Sequence, residues 1–111
     1  MSERLRFAVV GCGVIAPTHV RALRQLADRA EVVACSDVIP DRARALAAEF
    51  GLVAAPFEEI LADRTIDVVS VCTPSGLHAE VGVPALHAGK HVIVEKPMDV
   101  TLDACDRLLA A

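Results

Sequence analysis

Short runs rich in Val and Ile alternate along this chain with segments in which apolar residues recur at helical spacing. Strands buried on both faces of a parallel sheet have the first composition, and the helices that connect them have one apolar face. The order reads β-α-β-α-β-α-β-α-β-α over 111 residues, a length that suits one compact domain. The sequence therefore predicts an α/β fold with a doubly wound parallel sheet.

The order of the strands in this sheet follows from the handedness of their connections. Because crossovers between parallel strands are right-handed, the doubly wound arrangement gives the order 3-2-1-4-5. Gly51 is placed to cap the second helix, and Pro84 predicts a kink or a break in the fourth. We expect strands at residues 5–10, 31–36, 52–55, 67–72 and 91–94, and a buried stripe on the fourth helix formed by Leu77, Val81, Ala85 and Ala88.

The composition argues against several classes of function. The net charge is −4, the aromatic residues are three Phe, and the 11 Lys and Arg residues are scattered, whereas a nucleic-acid site needs a basic face and stacking rings. No apolar run approaches the ~20 residues of a membrane span. The first residues do not resemble a signal peptide, so we expect a cytoplasmic protein with no membrane partner. The four Cys residues show no CxxC or His/Cys spacing, which predicts reduced thiols and no metal site.

The stretch VVGCGVIAPTH places a G-x-G-x-x-A pattern between the first strand and the first helix. Gly11 would allow the tight turn, Gly13 would let backbone N–H groups approach a pyrophosphate, and Ala16 would keep the helix close to the sheet. Val14 and Ile15 complete the loop at the positive end of the helix, which favours an anion. A plain tight turn makes the same demand for glycine, but a strand before the pattern and a helix after it favour a dinucleotide site.

Asp37 ends the second strand, where a carboxylate can accept hydrogen bonds from the hydroxyls of an adenosine ribose. Such an acid favours NAD over NADP, because it would repel a 2′-phosphate. An Asp that only caps a turn at the end of a strand is the structural alternative. Arg42 follows on the second helix and could meet a phosphate instead of facing solvent, so NADP or the use of both cofactors stays open.

Thr73, Pro74 and Ser75 follow the fourth strand, beside the point where the strand order reverses. Pro74 makes this turn rigid and removes one N–H, so the remaining polar groups can face a cofactor, although an ordinary strand-to-helix turn has the same composition. His78 lies in the first turn of the next helix and is compatible with a structural hydrogen bond or a cofactor contact. We interpret the remaining histidines as surface or strand-edge residues without a chemical role: His19, His87 and His91.

The stretch HVIVEKPMDV runs from the fifth strand into Glu-Lys-Pro. By alternation Lys96 shares a face with Val92 and Val94, whereas Glu95 lies on the other face. Because Pro97 restricts the residue before it to extended geometry, Lys96 would continue the strand to its carboxyl edge, where a nicotinamide ring would lie. There the side chain could bind a substrate hydroxyl or assist its deprotonation, if burial favours the neutral amine. A solvated Lys96 paired with Glu95 is the alternative.

Three stretches together resemble the N-terminal domain of the glucose-fructose oxidoreductase, inositol dehydrogenase and rhizopine-catabolism protein family: GCGVIAPTH, TPSGLH and AGKHVIVEKP. The resemblance covers essentially the whole chain, and its Glu-Lys-Pro stretch is much more specific than its glycines. It implies a Rossmann fold that binds NAD, with NADP as the alternative. The residues that it implies for the cofactor site are Gly11, Gly13, Ala16, Asp37, Thr73, Pro74, Ser75, His78, Glu95 and Lys96. It also implies that Lys96 lies beside nicotinamide and substrate, and that the Lys96–Pro97 bond is a candidate for the cis form.

Members of that family are much longer than this chain, and a second α/β domain supplies their substrate pocket, further catalytic residues and oligomer interface. The resemblance therefore implies that residues 1–111 form a dinucleotide-binding domain without the sixth strand and the substrate domain of a homo-oligomeric parent. The implied parent reaction transfers a hydride to or from a hydroxyl carbon of a sugar, inositol or related polyol, and the chain alone is expected to be inactive. The alternative is a regulatory module that binds NAD(H) without catalysis, which would use the same glycines and Asp37 but gives no reason for Lys96.

Overall fold

The computed structural model describes residues 4–73, 75–94 and 102–111 of the chain. Their strands are β1 (Leu5–Val10), β2 (Ala30–Ser36), β3 (Val53–Ala54), β4 (Val68–Val71) and β5 (His91–Val94). Their helices are α1 (Ala16–Arg24), α2 (Pro40–Phe50), α3 (Phe57–Ala62), α4 (His78–His87) and α5 (Leu102–Ala110), with a short 3₁₀ turn at Ser75–Leu77. The predicted alternation of strands and helices is confirmed.

The strands form one parallel sheet in the order β3-β2-β1-β4-β5, as predicted. Val10, at the end of β1, lies in register with Ser36 at the end of β2 and with Val71 at the end of β4. Val71 in turn lies in register with Val94, the last residue of β5. The segments that follow these strands therefore start from one edge of the sheet, the edge at which doubly wound folds bind ligands.

Apolar side chains fill the space on both faces of the sheet. One face packs against α1 and α2, and the other packs against α3 and α4. The fully buried side chains of these layers include Val9, Val20 and Cys35 on the first face and Ile60, Val69 and Val71 on the second. Burial of a Val or Ile side chain contributes about 1.5–3 kcal/mol, so α1 is firmly held against β1 and the loop between them is fixed at both ends.

The sequence predicted a helix cap at Gly51 and an interruption of the fourth helix at Pro84, and the two predictions have different outcomes. Gly51 caps α2 in the left-handed conformation with φ of 71°, as predicted. Helix α4, however, runs unbroken through Pro84, so the predicted break is absent even though one backbone hydrogen bond is lost there. A Cβ on Gly82 would lie 2.5 Å from Leu108 Cδ2 of α5. Helices α4 and α5 therefore pack closely at Gly82.

The buried face of α4 also differs from its prediction. Leu77 is 40% exposed and Ala88 is exposed, whereas His78, Ala79 and Gly82 are buried. Ala85 of the predicted stripe is fully buried, as expected. Ala79 and Gly82 lie against Leu108 of α5, so the interior face of α4 includes these two small residues and excludes Leu77.

Among the described helices, none combines the length and the hydropathy that crossing a membrane requires.

Candidate dinucleotide site

Three loops meet at the carboxyl edge of the sheet. The N–H of Gly11 donates to Ser36 O at 2.8 Å, and the N–H of Cys72 donates to Val10 O at 2.8 Å. These backbone hydrogen bonds tie the start of the loop after β1 to the ends of both neighbouring strands. We call residues 11–15 the glycine loop, and it lies where the strand order reverses.

Gly11 is required by the fold itself. Its φ is +96°, a conformation that residues with a side chain rarely adopt. A Cβ at this position would lie 2.5 Å from Thr73 N and 2.6 Å from Cys72 C, so the glycine loop and the loop after β4 could not approach each other as they do. The prediction that Gly11 allows a tight turn is consistent with this geometry.

Gly13 is not required by the fold in the same way. Its φ is not positive, and a Cβ built on it would meet no atom of the described chain within 4 Å. The open space on this side of the glycine loop is where the sequence predicts the pyrophosphate of a dinucleotide. Because the fold does not require glycine at this position, a ligand that contacts the backbone closely would account for it.

The start of α1 presents backbone donors to the same space. Within the described residues, no acceptor is found for the N–H groups of Gly13, Val14 and Ile15. The N-cap residue Ile15 makes no side-chain capping bond, and the first turn contains no acidic residue. The positive end of the helix is thus left unneutralised by its own side chains. Ala16 is fully buried, as expected for a residue that brings the helix onto the sheet.

Asp37 follows β2 directly, and its side chain contacts the glycine loop. Its Oδ2 accepts a hydrogen bond from the N–H of Cys12 at 2.7 Å, and its Oδ1 accepts one from the N–H of Ile39 at 2.8 Å. The side chain is half-buried. Arg42 is exposed on the first turn of α2, with no ion pair recorded for it among the described residues, so the NADP alternative stays open on this geometry.

Thr73 begins the loop after β4, and His78 holds that loop in place. The His78 side chain is 2% exposed, and its Nε2 lies 3.1 Å from Thr73 O. A carbonyl oxygen only accepts, so Nε2–H is the donor in this contact. The sequence was compatible with a structural hydrogen bond or a cofactor contact for His78. The structure shows the hydrogen bond, and the cofactor contact stays a prediction.

The hydroxyl of Thr73 is a polar group without a recorded partner. Its Oγ1 is buried, and no hydrogen bond to it is found within the part of the chain that the structure describes. A buried hydroxyl that lacks a partner costs free energy, so its place at the carboxyl edge of the sheet fits a residue that gains a partner on ligand binding. Pro74, Glu95 and Lys96 of the predicted site lie outside the described residues, as does the side chain of Ser75.

Cys12, at the second position of the glycine loop, turns its thiol into the protein. Its Sγ donates to Ser36 O at 3.3 Å, and Cys35 Sγ donates to Ala43 O at 3.3 Å. Hydrogen bonding with Cys35 and then burial raise the pKa of the Cys12 thiol far above its ordinary value. The cysteines are free thiols, as predicted, and Cys12 packs as a small apolar residue.

His19 is a polar residue whose position the sequence interpretation missed. It is half-buried rather than on the surface, and its Nδ1 lies 2.7 Å from Ser70 Oγ of β4. Both residues line a cavity of about 270 Å³ that extends to Ile93 of β5, on the α1 side of the sheet. His19 is three residues after Ala16 and one before Val20, so helical periodicity was the signal that could have placed it facing the sheet.

Comparison with known proteins agrees with the geometry of this edge. The family model for an oxidoreductase family with an NAD-binding Rossmann fold matches residues 5–111. Inositol 2-dehydrogenase of Salmonella typhimurium is 34% identical over 110 residues, and inositol 2-dehydrogenase 1 of Saccharopolyspora erythraea is 38% identical over 109 residues. Each alignment covers 96% of this chain but only 33% and 32% of the relatives, respectively. The chain therefore spans about a third of their length.

Solved structures give the same result. The WlbA dehydrogenase from Bordetella pertussis, in complex with NADH and UDP-GlcNAcA, superposes with a TM-score of 0.92 at 35% identity, covering 98% of this chain and 33% of that one. UDP-N-acetylglucosamine 3-dehydrogenase GnnA from Acidithiobacillus ferrooxidans gives a TM-score of 0.83 at 29% identity, with 98% and 34% covered. Both the fold and the cofactor class predicted from the sequence are confirmed by these comparisons.

Proposed function

The chain belongs to the Gfo/Idh/MocA oxidoreductase family with an NAD-binding Rossmann fold, and from this premise we propose where NAD binds and what the longer parent does with it. The dinucleotide lies across the carboxyl edge of the sheet, with its pyrophosphate on the glycine loop. In the parent, the domain serves hydride transfer to or from a hydroxyl carbon of a sugar, inositol or related polyol. The parent is expected to be a homo-oligomer, formed through parts that the chain does not contain.

One observation carries the assignment of the pyrophosphate. Three successive N–H groups, those of Gly13, Val14 and Ile15, have no acceptor among the described residues, and the space beside Gly13 is open. Backbone N–H groups at the start of a helix bind phosphate oxygens through hydrogen bonds and through the helix dipole. Val14 is 99% exposed, so its side chain does not pack over the loop backbone. The residues present therefore fit a dinucleotide.

The chain's own residues would divide the remaining contacts among them. Asp37 accepts hydrogen bonds from the adenosine ribose, which favours NAD because a 2′-phosphate would meet the carboxylate. Thr73, with the adjoining Pro74 and Ser75, lines the nicotinamide half of the site. The buried Oγ1 of Thr73 supports this assignment, since a ligand or a shift of the loop would give it a partner.

Lys96 is the proposed catalytic residue, and Glu95 is proposed to stabilise its loop or balance its charge. Bound NAD supplies the hydride acceptor. The neutral amine of Lys96 binds the substrate hydroxyl and receives its proton as the carbon loses the hydride, so the products are a carbonyl group and an ammonium. In the longer parent, Lys96→Ala should lower turnover by ~10²-fold or more with little change in NAD affinity. Unaltered turnover would exclude the role of Lys96 and leave the NAD site in place.

Calorimetric titration of the chain with NAD and NADP tests the proposal. NAD should bind with measurable heat, and NADP should bind at least tenfold more weakly, because its extra phosphate meets Asp37. Arg42→Ala is the matched variant for the alternative cofactor. If Arg42 binds a 2′-phosphate, Arg42→Ala lowers the affinity for NADP and leaves the affinity for NAD unchanged. If Asp37 alone determines the choice of cofactor, Arg42→Ala changes neither affinity. Absence of heat with both dinucleotides would refute the proposed function.

A further inference from the structure

Both carboxylate oxygens of Asp37 are engaged by the protein's own backbone. Oδ2 accepts from Cys12 N–H at 2.7 Å, and Oδ1 accepts from Ile39 N–H at 2.8 Å. A ribose ligand has no need of the first contact, which reaches 25 residues back along the chain into the glycine loop. Asp37 thus joins the segment expected to bind ribose to the segment expected to bind pyrophosphate.

Among the residues that the structure describes, two members of the glycine loop are hydrogen-bonded to the end of β2 and to the residue after it. Gly11 donates its N–H to Ser36 O, and Cys12 donates its N–H to Asp37 and its thiol to Ser36 O at 3.3 Å. A thiol is a weak donor, whereas a hydrogen bond from an amide to a carboxylate is charge-assisted and strong. Asp37 is therefore the stronger of the two Cys12 anchors.

The carboxylate has the capacity to hold the loop and a ribose together. Its two oxygens offer about four acceptor sites, and two are used by Cys12 and Ile39. Two remain for the two hydroxyls of a ribose. The fixed carboxylate also has little freedom to turn away from a 2′-phosphate, since rotation would break both backbone bonds.

We infer that Asp37 is a positioning residue for the pyrophosphate-binding backbone as well as a ligand of the ribose, so that the two subsites are coupled through one side chain. The inference rests on the proposed function and adds a second role to a residue already assigned to the site. It predicts that loss of Asp37 weakens binding even of a dinucleotide that has no ribose hydroxyls for it to contact.

The test is a double-mutant cycle in which one change is made in the ligand. Wild-type protein and Asp37→Ala are titrated with NAD and with an NAD analogue whose adenosine ribose is 2′,3′-dideoxy. A residue that only binds ribose would give equal affinities of both proteins for the analogue. The inference predicts that Asp37→Ala binds the analogue about tenfold more weakly than wild type does, the lower end of what loss of a hydrogen bond to a charged group costs.

Two controls separate positioning from a general loss of structure. Asp41→Ala removes an exposed carboxylate of α2 that forms an ion pair with Arg44, and it should leave the affinity for the analogue unchanged. Asp37→Asn keeps one acceptor oxygen for Cys12 N–H and should recover most of the analogue affinity lost in Asp37→Ala. Amide exchange of Cys12 supplies a readout without ligand: it should accelerate in Asp37→Ala and less so in Asp37→Asn.

The outcomes distinguish the inference from the proposed function. If wild type binds neither NAD nor the analogue, the proposed function fails. If wild type binds both, and Asp37→Ala binds the analogue as wild type does, Asp37 is a ribose ligand alone and the inference is overturned. Should Asp37→Ala not fold, Asp37→Leu, which is nearly isosteric and has no acceptor oxygen, takes its place in the same cycle; a Cys12 exchange rate and an analogue affinity equal to those of wild type would then overturn the inference.

Discussion

Replacement of Gly13 by Ala should separate folding from binding in a way that few other single changes in this chain can. In the unliganded protein the new methyl group meets nothing within 4 Å, and the backbone is outside the left-handed region. An Ala at a compatible Gly position restricts the unfolded chain and stabilises the folded one by about 0.4–1 kcal/mol. We therefore expect Gly13→Ala to unfold at an equal or slightly higher denaturant concentration than wild type.

Dinucleotide binding should respond in the opposite direction. The methyl group would occupy the open space in which the pyrophosphate approaches the N–H groups of Val14 and Ile15. Loss of two hydrogen bonds to a charged group, at about 1.5 kcal/mol each, corresponds to ~10²-fold weaker binding of NAD. Denaturant unfolding followed by circular dichroism gives the first quantity, and calorimetric titration with NAD gives the second.

Gly11→Ala is the matched contrast two residues earlier. Here φ is +96° and the new Cβ would lie 2.5 Å from Thr73 N, so strain of about 1–2 kcal/mol and overpacking of about 1–3 kcal/mol are expected to destabilise the fold. The reasoning would be refuted if Gly13→Ala bound NAD as wild type does, or if it lost as much stability as Gly11→Ala. The first result would remove the pyrophosphate from the loop, and the second would make Gly13 a structural glycine.

Two further predictions concern stability away from the site. Lys90 is 6% exposed, and its Nζ donates to Asp63 O at 2.8 Å and Ile66 O at 2.9 Å; Lys90→Met leaves both carbonyls without this donor and should lower the free energy of unfolding by about 2–3 kcal/mol, measured in urea. Asp63 accepts hydrogen bonds from the hydroxyl and the N–H of Thr65, and these lower its pKa below the ordinary 3.8. Because the folded-state pKa is the lower one, the stabilisation is present above about pH 4 and is lost as the pH falls through the folded value. The stability difference between wild type and Asp63→Asn should therefore shrink as the pH falls below about 4, and a difference that is the same at about pH 5 and about pH 2 would contradict the assignment.

Much of the architecture follows from the sequence because its signals are local. The residue ranges of β1 and β5 are those predicted, since an apolar run forms each strand and a glycine or a charged residue follows it. The sheet order follows from the handedness of crossovers, which needs no side-chain detail. Gly11 and Asp37 were also predictable as a pair, because both follow strands that end at one edge.

The missed features depend on contacts between distant segments. Lys90 follows Gly89 and looks like a solvated turn residue, yet its acceptors lie 27 and 24 residues earlier, in a loop whose path the sequence does not reveal. The buried face of α4 is set by its neighbour α5, with Leu108 against Gly82. Periodicity shows only how apolar residues recur along the sequence. The burial of Lys90 and of the residues on α4 depends instead on the space that a second segment leaves beside them.

The contact between Asp37 and Cys12 shows the same limit at the site itself. The sequence places the carboxylate at the right edge of the sheet, and its interpretation as a ribose ligand uses only that placement. The hydrogen bond to Cys12 depends on the side-chain rotamer of Asp37 and on the path of the glycine loop. The spacing of residues along the chain predicts neither this rotamer nor this path.

The central claim is that the backbone of the glycine loop binds the pyrophosphate of NAD. Amide correlation NMR of the labelled chain during titration with NADH tests it most directly. The account predicts that the largest shifts belong to the N–H groups of Gly13, Val14 and Ile15, which have no acceptor among the described residues, while Lys90 N–H, bonded to Ala85 O at 3.1 Å, stays unchanged. Unperturbed loop amides at a concentration of NADH that saturates the protein would contradict it.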